Sequence, residues 1–501
     1  MDKFFYTSEQ IRQAEQAWAK DNQTTTWPLM EKAGSAAWQW LKKQWPEPAH
    51  ITVFCGSGNN GGDGYYVAAL ARAEEFPVTV IAVGIPKPGT DAEKARAHFL
   101  GQGGEVLAWD ESIKPEGIIV DALLGTGIQG EVRGPCIEAI QMINQSGLPV
   151  LSLDVPSGLN ADTGEYKSYP VKADLTLTFI GFKPGLLTGI GGDFLGEVHL
   201  ASLGVDSQLQ TLRAATAPLA GYGRWLHQLD PKPAKRSLTA HKGNFGHVLV
   251  AGGNQGMGGA AIMAGEAAAR TGAGWVSLCC HPDNVSAALV RQPEIMVRPW
   301  LPEFDLPERV TALVLGPGLG LNSWARERCT RVLEQAISAQ MWVVMDADGL
   351  NLLAEAPQQY DRWVLTPHPG EAARLLGWDI ATVNGNRIAA AQALVTKFGG
   401  TVILKGWGTV VANQQALAIN GSGNPGMARA GMGDVLAGVI GAGLAKLSLS
   451  KNDDEIATSV FETACNSVWL HGKAGDLASI KLGVEGLLAT DLIEQIPYTL
   501  M

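Results

Sequence analysis

The stretch Cys55-Gly56-Ser57-Gly58-Asn59-Asn60-Gly61-Gly62-Asp63-Gly64 follows the apolar run ITVF (51–54) and precedes YYVAALARA (65–73). An apolar strand, a glycine-rich connection and a helical pattern make the opening unit of a parallel α/β sheet. Gly56, Gly58 and Gly61 match G-x-G-x-x-G, the spacing of a dinucleotide-binding turn. Two features argue against that use. The next strand, VTVIAV (78–83), carries no acid for a ribose about 20 positions on, and Asp63 would repel phosphate oxygens. Asn59, Asn60 and Asp63 instead offer amide and carboxylate oxygens suited to a sugar hydroxyl, an amide or a monovalent cation.

Outward from this unit, short β-branched runs alternate with helical patterns: GIIVDA (117–122), VLSLDVP (150–156) and LTLTFI (175–180). Two amphipathic helices precede them, around 8–20 and 28–45. The alternation breaks over 204–237, a segment that ends rich in Pro and Lys and is read as the domain boundary. A second series follows: HVLVAGG (247–253), GWVSLCC (274–280), TALVLGPGLG (311–320), MWVVMDADG (341–349), RWVLTPHPGE (362–371) and TVILKGWGT (401–409). The motifs of the two halves do not superimpose, so no internal duplication is expected.

At 501 residues the chain is long enough for two or three domains. A net charge of -11 argues against non-specific binding to nucleic acid or to an anionic membrane. Glycine makes up 61 of 501 residues, about 12% against a usual ~7%, and the excess falls in loops that could hold small anions by backbone N–H groups. Six cysteines without C-x-x-C spacing, no signal sequence and no long apolar run predict a reduced, cytoplasmic protein.

Ligands of open parallel sheets gather at the carboxyl ends of strands. In the first half those ends carry Asp121, the Gly125-Thr126-Gly127 turn, Asp154 and Lys183. The turn reads as a phosphate cradle near the expected start of a helix. Asp154, fixed before Pro156 at the sheet rim, suits proton transfer, and Lys183 is a second candidate. In the second half, Gly431, Gly433 and Asp434 stand before a small-residue helix. That helix start would form an anion hole, with a carboxylate beside it able to take a proton from a hydroxyl, as phosphoryl transfer to an alcohol requires. The plain alternative is that Asp434 caps the helix. Lys405 with Gly406-Trp407-Gly408-Thr409 could grip nucleotide phosphates, Glu371 could orient a magnesium-bound water, and His368 could touch substrate.

Together, GNNGGDG, DALLGTG, DVPSGL, FKPGL, HKGNFGHVLVAGG, GPGLG, TPHPGEAARLL, KGWGT and GNPGMARAGMGD resemble the bifunctional NAD(P)H-hydrate repair family over essentially the whole chain. In that family an epimerase domain is fused to an ADP-dependent dehydratase. The resemblance implies a two-domain α/β protein: a Rossmann-like three-layer α/β/α domain over 1–220 and a ribokinase-like α/β domain over 221–501. It implies K+ in the epimerase, held by Asn60, Asp121 and Ser157, and Mg2+ and ADP in the dehydratase. Substrate is expected at Asn59, Asn60, Gly61, Gly62 and Asp63, the last placed in a loop meeting ribose and ring. Its phosphates are expected at Gly125, Thr126, Gly127, Ile128, Gln129, Gly130 and Glu131, and the base at Asp154. In the dehydratase, Gly318, His368 and Asp434 are expected to meet substrate, and Lys405, Gly406, Trp407, Gly408, Thr409 and Gly433 to bind ADP. Arg429 and Met432 stand where small residues are more usual in such loops. A homo-oligomer, tetramer or higher, acting on small molecules in the cytoplasm is implied, with neither nucleic acid nor membrane as partner. The competing expectation is a small-molecule kinase joined to a nucleotide-binding sensor domain.

Overall fold

The computed structural model describes residues 4–127, 130–215, 222–228, 236–449 and 453–500. The chain divides into two compact units, Met1–Gly223 and Arg224–Met501.

In the first unit, β1 (Phe4–Tyr6) leads into the helices Ser8–Asp21 and Trp27–Gln44. Thr7 starts the former with a capping box: its hydroxyl accepts from the Gln10 N–H, and Gln10 accepts in return from the Thr7 N–H. The strands β2 (Ile51–Cys55), β3 (Val78–Ala82), β4 (Val106–Ala108), β5 (Ile118–Ala122), β6 (Val150–Leu153), β7 (Leu175–Phe179) and β8 (Glu197–Ala201) form a parallel sheet in the order β4-β3-β2-β5-β6-β7-β8. β2, β5 and β7 are buried on both faces, as a sheet covered by helices on two sides requires. Ile51, Val53 and Cys55 pack with Ala14 and Trp38 of the N-terminal helices and with Val67 of the helix Asn59–Ala73, whereas Phe54 and Ile119 pack with Ile140 and Ile143 of the helix Pro135–Ser146. The result is a three-layer Rossmann-like α/β/α unit. The chain leaves β2 toward β3 and returns to β5 on the other side, so the topological switch lies between the carboxyl ends of β2 and β5.

The second unit holds β9 (Tyr222–Leu226), β10 (His247–Ala251), β11 (Trp275–Cys280), β12 (Met296–Pro299), β13 (Ala312–Leu315), β14 (Trp342–Met345), β15 (Trp363–Leu365), β16 (Thr401–Leu404), β17 (Val410–Ala412) and β18 (Leu417–Asn420). Their order is β9-β18-β17-β16-β15-β14-β13-β10-β11-β12. The pairs from β16 through β12 are parallel, and β17 runs antiparallel to both neighbours. Val248, Val314, Val344 and Ile403 pack against the helices Gly258–Arg270, Met432–Leu447 and Asp453–Leu482. This is the ribokinase-like half. Here the switch lies between β10 and β13.

The apolar runs of the sequence mark β2, β3, β5 to β7, β10, β11 and β13 to β16. They leave β1, β4, β8, β9, β12, β17 and β18 unmarked, strands of three to five residues, most with no long apolar run of their own. The boundary segment 204–237 contains the helix Asp206–Ala215 and β9; its residues 216–221 and 229–235 lie outside the described ones. All six cysteines are unpaired. Among the described residues no helix is long and apolar enough to cross a membrane.

Candidate functional site

Each unit gathers polar side chains at its own switch point. In the first unit, the expected loop after β2 is largely a helix. Asn59–Ala73 begins directly after Gly58, which corrects the placement of Asp63: it sits in the second turn of that helix, buried. Of the glycines of the opening motif, Gly56 and Gly61 serve packing, whereas Gly58 faces open space. A Cβ added at Gly56 would lie 1.8 Å from the Leu123 carbonyl oxygen, and one at Gly61 would lie 2.1 Å from the Gly56 carbonyl oxygen. The helix N-terminus is thereby pressed onto the end of β5.

Asp121, the fourth residue of β5, is fully buried. It accepts hydrogen bonds from Ser152 Oγ (2.8 Å), Ser157 N (2.9 Å), Ser157 Oγ (2.5 Å) and Leu123 N (3.3 Å). Burial raises its pKa, against those bonds. Asn60 Nδ2 donates to the Leu124 carbonyl at 3.1 Å, and Ser157 Oγ reaches the same carbonyl at 3.1 Å. Among the described residues Asn60 Oδ1 is buried with no hydrogen-bond partner. Asn60 and Ser157 thus meet at one carbonyl, and Ser157 links them to Asp121.

Asp154 follows β6 with φ +66°, a region that residues with a side chain seldom adopt. The Val155 N–H bonds the Leu153 carbonyl across it (2.8 Å), closing a γ-turn. At the end of β7, Ile180 repeats this with φ +70° and a Gly181 N–H to Phe179 carbonyl bond of 2.7 Å. Two strained turns side by side at the rim point to a built site. Between them, Asp154 Oδ1 accepts from Thr178 Oγ1 (3.2 Å), the Phe179 N–H (3.2 Å) and the Lys183 ammonium. Lys183 is fully buried and also donates to Thr178 Oγ1 (2.9 Å) and the Phe179 carbonyl (2.8 Å). Asp63 is held well above the usual carboxylate range by burial, then by Asp154 and Glu15, with Lys183 opposing. Glu15, on the first helix, is pushed up to about 7 by burial and Asp154, with Lys183 and Arg12 opposing. Glu15 and Thr178 carry no sequence signal, lying in a helix face and a strand interior.

Thr126 and Gly127 lie in a turn. Among the described residues the next helix begins only at Pro135, so the expected helix-start cradle is corrected to a turn. Gly130 and Glu131 are exposed beyond it, and Ile128 and Gln129 lie outside the described residues.

In the second unit, the loop GGNQGMGG (252–259) that follows β10 meets GPGLG (316–320): the Gly253 N–H donates to the Pro317 carbonyl (2.9 Å) and the Asn254 N–H to the Gly318 carbonyl (2.7 Å). The Gly320 N–H in turn donates to Asp348 Oδ2 at 2.7 Å. His368 caps the helix Pro369–Leu376. Its Nδ1 accepts from the Gly370 and Glu371 N–H groups (3.0 and 3.3 Å), while Glu371 accepts from the His368 N–H (2.8 Å). Burial and the neighbouring Lys405 lower the His368 pKa.

Lys405, just past β16, is no solvated charge. Its ammonium donates to Asp346 Oδ1 at 2.7 Å and lies 3.8 Å from Glu371. Burial pulls its pKa down, but Asp346, Glu371 and Asp434 outweigh that and hold it above the ordinary value. Gly406, Trp407, Gly408 and Thr409 continue as a turn, in which Thr409 Oγ1 donates to the Gly406 carbonyl at 2.8 Å. The helix Met432–Leu447 starts at Gly431, which has φ +92° and caps without a side chain. Asp434 makes no capping hydrogen bond among the described residues, so the cap reading does not account for it. It lies in the first turn, partly buried; burial, then Asp346, push its pKa up to about 7 against Lys405. A Cβ placed on Gly433 would lie 3.2 Å from Lys405 Nζ and 3.6 Å from Asp346 Oδ2, which locates the helix start directly over the ion pair. Met432 packs into the core, and Arg429 turns away to donate to the Glu485 carbonyl. Asp346 and Asp348 are unassigned by the sequence reading, although both stand at the carboxyl end of β14, where the same rule would have found them.

Two family models match the chain: YjeF-related protein N-terminus over residues 27–185 and NAD(P)H-hydrate dehydratase over residues 248–498. The chain is 42% identical over 496 residues to a bifunctional NAD(P)H-hydrate repair enzyme of Coxiella burnetii, covering 97% of each chain. It is 41% identical over 495 residues to the Escherichia coli enzyme of the same name, covering 97% of this chain and 92% of that one. A crystal structure of a ribokinase-like superfamily protein from Enterococcus faecalis is 30% identical with a TM-score of 0.49, covering 55% of this chain and 95% of its own. An ADP/ATP-dependent NAD(P)H-hydrate dehydratase from Bacillus subtilis, co-crystallised with ATP/Mg2+, is 26% identical with a TM-score of 0.47, covering 54% and 94%. Two differently built α/β units, each with carboxylates gathered at its own switch point, and near-full-length relatives of one kind lead to the same result: this chain belongs to the family of bifunctional NAD(P)H-hydrate repair enzymes, which join an NAD(P)H-hydrate epimerase to an ADP-dependent NAD(P)H-hydrate dehydratase.

Proposed function

We propose that residues 1–220 interconvert the two epimers of the hydrate at Asp154, and that residues 221–501 dehydrate the S epimer at Asp434. The supporting observation is the carboxyl of Asp434 in the first turn of Met432–Leu447, one residue from the glycine that covers the Lys405 ammonium. A pKa of about 7 lets it accept a proton and release it near neutrality.

The substrate carries a hydroxyl on C6 of a reduced nicotinamide ring, and hydroxide is a poor leaving group. Asp434 takes the hydroxyl proton, and the oxygen attacks the β-phosphorus of ADP. The bond to the bridging oxygen breaks and AMP departs. Lys405 and the N–H groups at the helix start, Gly433 among them, hold the charge that builds on the phosphoryl oxygens. The ring nitrogen lone pair then expels phosphate from C6, a proton leaves C5, and the reduced nicotinamide is restored. Gly318 and His368 line the substrate side, and Gly406 to Thr409 hold the nucleotide.

Among the described residues no three acidic, histidine or cysteine side chains converge as a metal cage. Mg2+ bound with nucleotide phosphates needs only one or two carboxylates, and Glu371 fits that task. Such an ion supplies charge neutralisation between the phosphates. In the first unit, the buried and partnerless Asn60 Oδ1, the Asp121 carboxylate and Ser157 Oγ form an all-oxygen set that fits K+. Held there, the ion would fix the turn after β5 against the helix Asn59–Ala73. Asp154 and Lys183 form the acid–base pair for inversion at C6, with Asn59 to Asp63 meeting the substrate and Gly125, Thr126, Gly127, Ile128, Gln129, Gly130 and Glu131 taking its phosphates. A cytoplasmic homo-oligomer, tetramer or higher, completes the reading.

Purified protein given the mixed hydrates and ADP should recover reduced-nicotinamide absorbance. Asp434→Ala should abolish recovery while epimer interconversion persists, and Asp154→Ala should do the reverse. Full dehydration by Asp434→Ala would overturn the assignment.

A further inference from the structure

Asp346 has no part in the steps above, yet three adjacent strands build around it. It directly follows β14 and is 1% exposed. Its Oδ1 accepts from Thr366 Oγ1, at the end of β15, and from Lys405 Nζ, at the end of β16, both at 2.7 Å. Thr366 is held in turn, its N–H and its hydroxyl each 3.1 Å from the Met345 carbonyl. The residue after Asp346, Ala347, has φ 48° and ψ −120°, a conformation that side-chain-bearing residues rarely hold without a functional reason. The backbone has no room to relax there: a Cβ on Gly316 would lie 1.8 Å from the Asp346 carbonyl oxygen.

The consequence falls on Lys405. A lysine carries a point charge on a flexible four-carbon stem, and an ammonium free to wander must be ordered each time an anion arrives. We propose that Asp346 is a positioning residue for the phosphoryl step: with Thr366 it fixes the Lys405 ammonium beneath the first turn of Met432–Leu447, where the β-phosphate of ADP meets it. This rests on the roles given to Lys405 and Asp434 above. Asp346 does not touch the reacting atoms; it acts through Lys405, which stays charged and aimed without leaving an unpaired cation in a buried place.

The test follows dehydration of the S hydrate at reduced-nicotinamide absorbance while ADP is varied, with the melting temperature of each variant measured alongside. Asp346→Ala should raise KM for ADP about tenfold or more and lower kcat, the loss expected for a charge-assisted contact. Asp346→Asn keeps an oxygen for Thr366 and Lys405 and should regain part of that loss. In a Lys405→Met background, Asp346→Ala should add less than about threefold, because the two act as one unit. Losses that multiply in the double variant, or Asn no better than Ala with only kcat lowered, would overturn the proposal. If Asp346→Ala does not fold, Thr366→Val removes one hydrogen bond from the same carboxylate. It should raise KM for ADP a few-fold with Lys405 present and leave it unchanged in the Lys405→Met background; an unchanged KM in both would overturn the proposal. The wider reading fails separately: activity in Asp434→Ala sinks it, whereas an inactive Asp434→Ala with multiplying Asp346 and Lys405 losses sinks the positioning role alone.

Discussion

Asp434 must be ionised to take a proton, and its surroundings resist that. Burial, with Asp346 adding repulsion and Lys405 offsetting part of it, moves the carboxyl from 3.8 to about 7, a preference for the neutral acid of about 4 kcal/mol. With a pKa of about 7, roughly one-tenth of the enzyme has the base ready at pH 6 and roughly nine-tenths at pH 8. The value of kcat/KM for dehydration, at saturating ADP, should therefore rise about tenfold between pH 6 and pH 8. Glu371 is pushed up to about 7 as well, by burial and by Asp346 against Lys405, so the two carboxyls ionise over the same pH range. If both must ionise, the rise is steeper than one proton, and Glu371→Gln should return it to one. The sign for stability is opposite. A carboxyl whose folded pKa lies above its unfolded one stabilises the fold below about 4 and loses that contribution as pH passes about 7. Lowering the pH from 8 to 6 should thus switch activity down with no fall in melting temperature from these groups. The assay is stopped-flow absorbance across pH, with a thermal melt at each point. A flat rate from pH 6 to pH 8 in folded protein would refute the assignment of Asp434 as base.

Three further outcomes are expected. Asp154→Ala leaves the fully buried Lys183 ammonium without its counter-ion, so epimer interconversion, followed by chromatography of the two hydrates, should be lost and the first unit should lose about 3–5 kcal/mol in a denaturant melt; an unaffected epimerisation rate would contradict the shuttle. Asn60→Leu removes the partnerless amide oxygen, and epimerisation should then cease to respond when K+ is replaced by a larger organic cation, whereas the unaltered enzyme slows; an unchanged K+ response would contradict the site. Gly56→Ala drives a methyl into the Leu123 carbonyl and should cost about 1–3 kcal/mol or more in the same melt; a stability within error of the unaltered protein would show that the loop yields.

Much of this architecture was legible because parallel strands buried on both faces must be apolar runs, and their carboxyl ends must carry the polar residues that ligands meet. Asp121, Asp154, His368 and Lys405 follow from that rule, whereas Asp434 follows from the glycines that precede a small-residue helix. Asp346 obeys the same rule but went unassigned, because an acid after an apolar strand is also ordinary turn punctuation; its contacts with Thr366 and Lys405 separate the two. The glycines after β2 misled for a related reason. Close approach of a phosphate and close approach of a carbonyl both demand a missing side chain, and here the Leu123 carbonyl occupies the space. The short strands β12, β17 and β18 are held by pairing with their neighbours rather than by a pattern of their own.

The most direct measurement labels the oxygen that is said to be expelled. Hydrate prepared in 18O water carries the heavy atom on C6, and enzyme plus ADP in ordinary water should release inorganic phosphate bearing one 18O for each reduced nicotinamide recovered. Unlabelled phosphate, with the heavy oxygen lost to solvent, would mean that the hydroxyl never bonds to phosphorus and that Asp434 does not prepare it to.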